Sequence, residues 1–239
     1  MIPSATFRSF FLILALATAA VAQTSLNYGF VSPNTKENLK LEDAIKGMSS
    51  AEETKLVKQS INMGCVVRSR IRAFRSLGSW SDGAEHSVML RLESDEPTVR
   101  YVLSRLGRDA RQKSILYFHP KTAGPADLYT LKTRRPMRNL VNLAQSLERA
   151  GIEFRTLVPV KSGTWVYIVD LKRELREKVM NAARRLRARV STESGNASFV
   201  GDDQADEAKV VFDEEIRKYE TKNPNLPPTC DVKTTGKQK

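Results

Sequence analysis

Histidine and cysteine are nearly absent from this chain, with two of each in 239 residues, and that scarcity narrows its chemistry. No two cysteines stand at ligand spacing, no pair of histidines shares a helical face, and the acidic cluster Asp202, Asp203, Asp206, Glu207 lacks the alternating oxygen pattern of a calcium loop. No metal centre is therefore expected, and that acidic cluster reads as the enriched start of a helix. Glycine is also sparse, at 12 residues. Gly83 and Gly163 fall in expected hairpin turns and neither precedes a Lys-Ser/Thr pair, so a phosphate-cradling loop is excluded. No serine sits in a nucleophile elbow, and Ser162-Gly163 is turn chemistry. With no such motif, no cofactor is expected, and the chain reads as a binding protein more readily than as an enzyme.

Long apolar runs are missing except at the start. The stretch Phe10 to Val21 (FFLILALATAAV) follows Arg8, the only charged side chain before it, and ends in Ala20-Val21-Ala22 before Gln23. It is the length of a signal-peptide core and short of the roughly 20 residues that span a bilayer. Residues 1–22 are expected to be a signal peptide cleaved after Ala22, giving an exported protein, periplasmic or extracellular, with no transmembrane span after cleavage. Loss of Arg8 takes the formal net charge from +12 to +11. In such a compartment Cys65 and Cys230 are a disulfide candidate closing a very long loop. Cys65 also lies in an expected helix, where a free thiol behaves as a small apolar group, and both readings stand.

Patterning expects an α+β fold: a mainly antiparallel sheet of about six strands from three hairpins, with helices packed on it. Residues 23–50 read as an extended lead-in with room for one short helix, and 51–190 as the domain. A helix opens near Ser50, with Glu52 and Glu53 in its first turn and Val57, Ile61, Gly64, Val67 and Ile71 at helical spacing. Phe74 to Leu77 and His86 to Leu92 should form a hairpin across Ser81-Asp82-Gly83. Ser94 or Asp95 caps the next helix, with Pro97 in its first turn. Ser114 to His119 and Asp127 to Leu131 read as a second strand pair. A helix from Pro136 ends at Gly151, a hairpin joins Ile152 to Val158 with Thr164 to Leu171, and a basic helix covers Lys172 to Val190. Residues 191–222 comprise a polar linker (STESGNAS) and an acidic helix carrying Phe212, Ile216 and Tyr219, a stripe that could dock an adaptor but more simply packs on its own domain. The proline-rich 223–239 reads as a disordered tail.

Shifted by 80 residues, the segment 56–106 matches 136–186 without a gap, helix to helix and hairpin to hairpin, with eight of 51 positions identical. FRSL (74–77) meets FRTL (154–157), and the turn glycines 83 and 163 coincide, as an internal duplication of an α-β-β-α unit would produce.

Basic surface is the main chemical feature. In the helix from Lys172, residues Arg173, Arg176, Arg184, Arg185 and Arg187 face solvent as candidate anion contacts; Arg68, Arg70, Arg72 and Arg75 form a second cluster and Lys132, Arg134, Arg135 and Arg138 a third. The expected function is non-catalytic binding or envelope assembly, with an acidic protein or anionic envelope polymer as partner and only non-specific affinity for nucleic acid, since no aromatics interleave with the cations. The alternative is a secreted phosphodiesterase or nuclease using His86 and His119 with Lys121, the minimum set for acid-base cleavage of a phosphodiester. Asn196-Ala197-Ser198 is a glycosylation sequon.

Overall fold

The hairpin expected between Phe74 to Leu77 and His86 to Leu92 is present, with longer arms than expected. In the computed structural model, which describes residues 25–33, 39–47, 51–80, 83–120, 126–134, 140–152, 156–160, 163–170, 176–201, 204–228 and 230, strand β2 (Arg70–Trp80) pairs with β3 (Gly83–Ser94) along its whole length. Ahead of them come β1 (Ser25–Val31), a short α1 (Leu41–Lys46) and α2 (Ala51–Val66). After them come α3 (Glu96–Asp109), β4 (Ser114–His119), β5 (Ala126–Thr133), α4 (Leu140–Arg149), β6 (Thr156–Val160), β7 (Gly163–Asp170), α5 (Arg176–Leu186), β8 (Arg189–Gly201) and α6 (Ala205–Lys222).

The strands close into a barrel in the order β1-β3-β2-β6-β7-β5-β8-β4, with β4 returning to β1, and every described pairing is antiparallel. The order β4-β1-β3-β2 in one part recurs as β8-β5-β7-β6 in the other, each a β-α-β-β-α-β chain of the split β-α-β kind. The two parts meet at two seams. Leu77 faces Leu157 across one, and Tyr117 faces Ser198 while Phe118 faces Ala197 across the other.

Period-two alternation sends successive side chains to opposite faces. Tyr28, Met89, Leu116, Phe118, Leu128, Val158, Tyr167 and Val169 point inward and fill the barrel, as an eight-stranded barrel allows. The outward faces pack under helices in two further cores. Val88, Leu90, Leu92, Ile115 and Tyr117 lie under α2, α3 and α6, and Tyr129, Leu131, Val166 and Ile168 under α4 and α5. Helix α6 is held on its own domain by buried Phe212 and Ile216, by Tyr219 stacked on Tyr101 at 4.4 Å, and by Arg100–Glu215 and Arg105–Glu220 ion pairs at 2.9 and 3.1 Å.

Asp95 caps α3, its Oδ1 accepting from Thr98 N at 3.2 Å. Helices α2, α3 and α5 all end on an arginine in the left-handed region, Arg68, Arg111 and Arg187, at φ 52, 53 and 50°. Each is followed by a wrapped-back bond: Ser69 N to Gly64 O, Gln112 N to Gly107 O and Ala188 N to Ala183 O, all 2.9 Å.

The α+β class with an antiparallel sheet and packed helices is as expected; its strand inventory is not. The lead-in contains β1, and the linker is β8, the longest strand described, at 13 residues. Six of the 13 β8 residues are exposed and only two are buried, so its sequence looks like a loop, but its backbone pairs with β5 through residue 195 and with β4 from 196 onward. For the same reason β4 and β5 are not a hairpin: β8 lies between them. The basic helix is shorter than expected, because Arg187 breaks it and Val190 belongs to β8. Ile71 likewise belongs to β2 and not to α2. In the tail, Leu226 packs against the core under α2, α3 and α6, and Cys230 is bonded to Cys65, with a Cα separation of 6.0 Å. Residues 1–22, and with them the expected signal peptide, lie outside the described residues. Among the described residues no helix is long and apolar enough to cross a membrane.

Candidate functional site

The strand register gathers the dispersed cations. Arg70 faces Glu93 and Arg72 faces Arg91 across β2 and β3, while Lys132 faces Arg189 across β5 and β8 and Trp165 across β7. The start of β2, the end of β3, the start of β8, the end of β5 and the start of β7 all lie at one end of the barrel. Cross-strand partners share a face, so Arg72 and Arg91 point to the same side as Tyr28, which Arg91 faces across β1 and β3. Lys132 and Arg189 similarly lie on the side of Trp165 and Tyr167.

Two like-charged pairs, Arg72 with Arg91 and Lys132 with Arg189, thus stand directly opposite each other at one mouth. Such an arrangement destabilises a sheet unless something negative joins it. Helices deliver more charge to the same end. Arg68 ends α2 immediately before Arg70, and Arg184, Arg185 and Arg187 end α5 immediately before Arg189.

A pocket of about 310 Å³ opens here, lined among others by Tyr28, Arg91, Lys132, Trp165, Arg189 and Glu193. Its floor is aromatic: Tyr28 and Tyr167 lie 5.9 Å apart and Trp165 lies 6.3 Å from Tyr167, centroid to centroid. The Arg91 guanidinium is 5.9 Å from the Tyr28 ring and Lys132 Nζ 5.5 Å from the Trp165 ring. Burial, aided by the Glu193 carboxylate and opposed by Arg91, pushes the Tyr28 phenol up to about 12, so it keeps its proton and donates to Glu193 Oε1 at 3.2 Å. Burial raises Tyr167 as well, with Tyr28 the next cause. Two buried donors, Arg91 Nε and Trp165 Nε1, have no hydrogen-bond partner.

Arg68, Arg70 and Arg72 of one basic cluster, Lys132 of another and the end of the basic helix therefore converge, although not in the expected way. Arg184, Arg185 and Arg187 are exposed near the mouth, whereas Arg176, at the far end of α5, stands about 12 Å from Arg184 along the axis. Arg75 turns away to donate to Thr54 Oγ1 at 2.6 Å. Arg173, Arg135 and Arg138 lie outside the described residues. Arg91, Glu193, Tyr28 and Trp165 were not singled out from sequence, and Arg189 was read as part of the basic helix. The first four belong to four different strands, and only register unites them.

The two histidines are not brought together. Tyr28 faces Phe118, so His119 is level with Asn27, which faces Leu92 on β3. His86 lies six residues farther along β3, about 20 Å at strand spacing. A shared phosphodiester site on His86 and His119 is incompatible with that separation, and Lys121 lies outside the described residues.

His86 is buried beside Glu53, with Nδ1 4.0 Å from Oε2. The Glu53 Oε1 accepts from Ser76 N at 3.1 Å, and burial pushes the carboxyl up to about 7 against the opposing effects of Arg75 and that hydrogen bond. His119 lines a cleft of about 650 Å³ between α3 and α6, with Nδ1 3.4 Å from Ser25 Oγ and Nε2 3.8 Å from Glu96 Oε2. The charged residues of this cleft include the Arg100–Glu215 pair that joins the two helices. Asn196 is exposed on β8. Among the described residues no group of three or more metal-ligating side chains occurs.

No family model matches the chain, and no curated protein matches it. A solved structure of an anthrone oxidase-like protein is similar over 76% of this chain and 95% of its own, at 11% identity and a TM-score of 0.24, a likeness too distant to carry any argument.

Proposed function

We propose that this is an exported, non-catalytic binding protein that holds an anionic partner, an envelope polymer or an acidic protein surface, against the basic mouth of its barrel. The observation that carries the reading is the pair of like-charged cross-strand contacts, Arg72 with Arg91 and Lys132 with Arg189, at the end where α2 and α5 also deliver arginines. A sheet gains nothing from such pairs, whereas an anion bridging them relieves both. The site is thus the mouth, with Arg184, Arg185 and Arg187 as its rim.

Heparin serves as the test polyanion. Its affinity should fall steeply as ionic strength rises, and the exposed double variant Lys132→Glu/Arg189→Glu should weaken it about tenfold or more at low salt. Affinity indifferent to both salt and charge reversal would sink the reading. Export is tested separately, by finding Gln23 at the amino terminus of the secreted protein.

We also propose that the barrel arose by duplication of a unit that includes 56–106 and 136–186. Two features of the register support it. The seam partners Leu77 and Leu157 are 80 residues apart, and those at the other seam are 79 and 81 apart at Phe118–Ala197 and Tyr117–Ser198.

A further inference from the structure

We infer that the pocket inside the mouth binds a small aromatic carboxylate, one or two fused rings bearing a single negative charge. The inference rests on the reading of the mouth as the binding face and names what its deepest part accepts. Charge sets the first requirement: three cations, Arg91, Lys132 and Arg189, line the pocket against one carboxylate, Glu193. Unmet donors set the second. Arg91 Nε and Trp165 Nε1, on two residues that line the pocket, are buried without partners, and buried donors in folded proteins are almost always satisfied, so the pocket calls for an acceptor oxygen.

The third requirement is aromatic surface. Tyr28, Tyr167 and Trp165 line the floor at centroid spacings of 5.9 and 6.3 Å, each pair tilted, which a phosphate ion would leave uncovered and a ring would pack against edge to face. A volume of about 310 Å³ is at the small end for ligand sites, which restricts the ring system. Glu193 limits the charge. Bonded to the Tyr28 hydroxyl at 3.2 Å, it stays beside the ligand and repels a second negative group, so monoanions are favoured over dianions.

The full secreted protein, disulfide intact, is titrated calorimetrically with 2-naphthoate, with its neutral counterpart 2-naphthamide and with inorganic phosphate. Heparin affinity is measured on the same samples. Saturable 2-naphthoate binding is expected, with 2-naphthamide and phosphate each about tenfold weaker or more, because each forfeits either the charge-assisted bonds or the ring packing.

Arg91→Met and the exposed Lys132→Met should each weaken 2-naphthoate about tenfold, and Glu193→Gln should improve phosphate. Lys132→Met keeps the test valid if Arg91→Met fails to fold. No 2-naphthoate binding, equal binding of 2-naphthamide or of phosphate, or a response unchanged by Lys132→Met would overturn the inference. Salt-sensitive heparin binding alongside such a failure would leave the basic mouth standing and remove only the pocket ligand; loss of both would remove both.

Discussion

Replacing Glu53 by glutamine should stabilise the protein near neutral pH and leave it unchanged in acid. The carboxyl is fully buried, where ionisation is costly, and it is pushed from 4.5 up to about 7 by that burial, with Arg75 and the Ser76 N–H acting the other way. In the unfolded chain it titrates as an ordinary carboxylate. Below about pH 4.5 both states carry the proton and the stability it confers is fully present. As pH rises, the unfolded state releases its proton first, so stability falls until the folded state ionises near 7. Each pH unit is worth about 1.4 kcal/mol, so the span comes to about 3 kcal/mol.

Glutamine cannot ionise and its side-chain oxygen can still accept from Ser76 N, a bond of 3.1 Å in the native protein. The two proteins should therefore agree at pH 4 and diverge by up to about 3 kcal/mol at pH 7.5, with the variant the more stable. Urea unfolding of both across that range measures the difference and cancels the titrating groups remote from residue 53. Arg75 is the cationic neighbour that opposes the upward shift of Glu53, so Arg75→Gln should extend the decline of the parent protein to higher pH. A difference that stays flat with pH, or a parent protein more stable than Glu53→Gln at pH 7.5, would refute the reasoning.

Serine at Cys65 or Cys230 should cost about 2–4 kcal/mol, since the bond joins residues 165 apart; urea unfolding with and without reductant should show the parent falling to the variant's level. Arg68→Gly, Arg111→Gly and Arg187→Gly should each raise stability by up to about 1 kcal/mol by relieving the left-handed backbone of an L-residue, read as a higher thermal midpoint. Gly195→Ala should destabilise by about 1–3 kcal/mol in urea unfolding, because a Cβ there would lie 2.3 Å from the His119 carbonyl oxygen and 2.9 Å from Pro120 Cα.

What could be read from residues was local. Helices α2, α3 and α6 announce themselves by apolar spacing over several turns, and the Asp82-Gly83 and Ser162-Gly163 turns mark β2–β3 and β6–β7. Strand β8 gave no such sign, because its stability comes from main-chain bonds on both edges and not from apolar side chains. With β8 unseen, closure was invisible, and β4 and β5 looked like neighbours. The site suffered similarly. Arginines 68, 70 and 72 and lysine 132 stood out as charge runs, but their meeting depends on pairings between residues more than 50 positions apart, such as Lys132 with Arg189. His86 and His119 drew attention through rarity, a property of composition that says nothing about distance.

The cystine has an implication for the order of events during biogenesis. Cys65 is on the second helix, while Cys230 follows the last strand and the last helix, so all eight strands are synthesised before the second sulfur exists. The bond cannot steer the assembly of the barrel; it can only seal one whose staves have already been supplied. Thereafter, a protease cut at any exposed loop from 66 to 229 would sever the backbone without parting the pieces. The nicked product would separate into two bands on a denaturing gel only once the sulfur link is reduced.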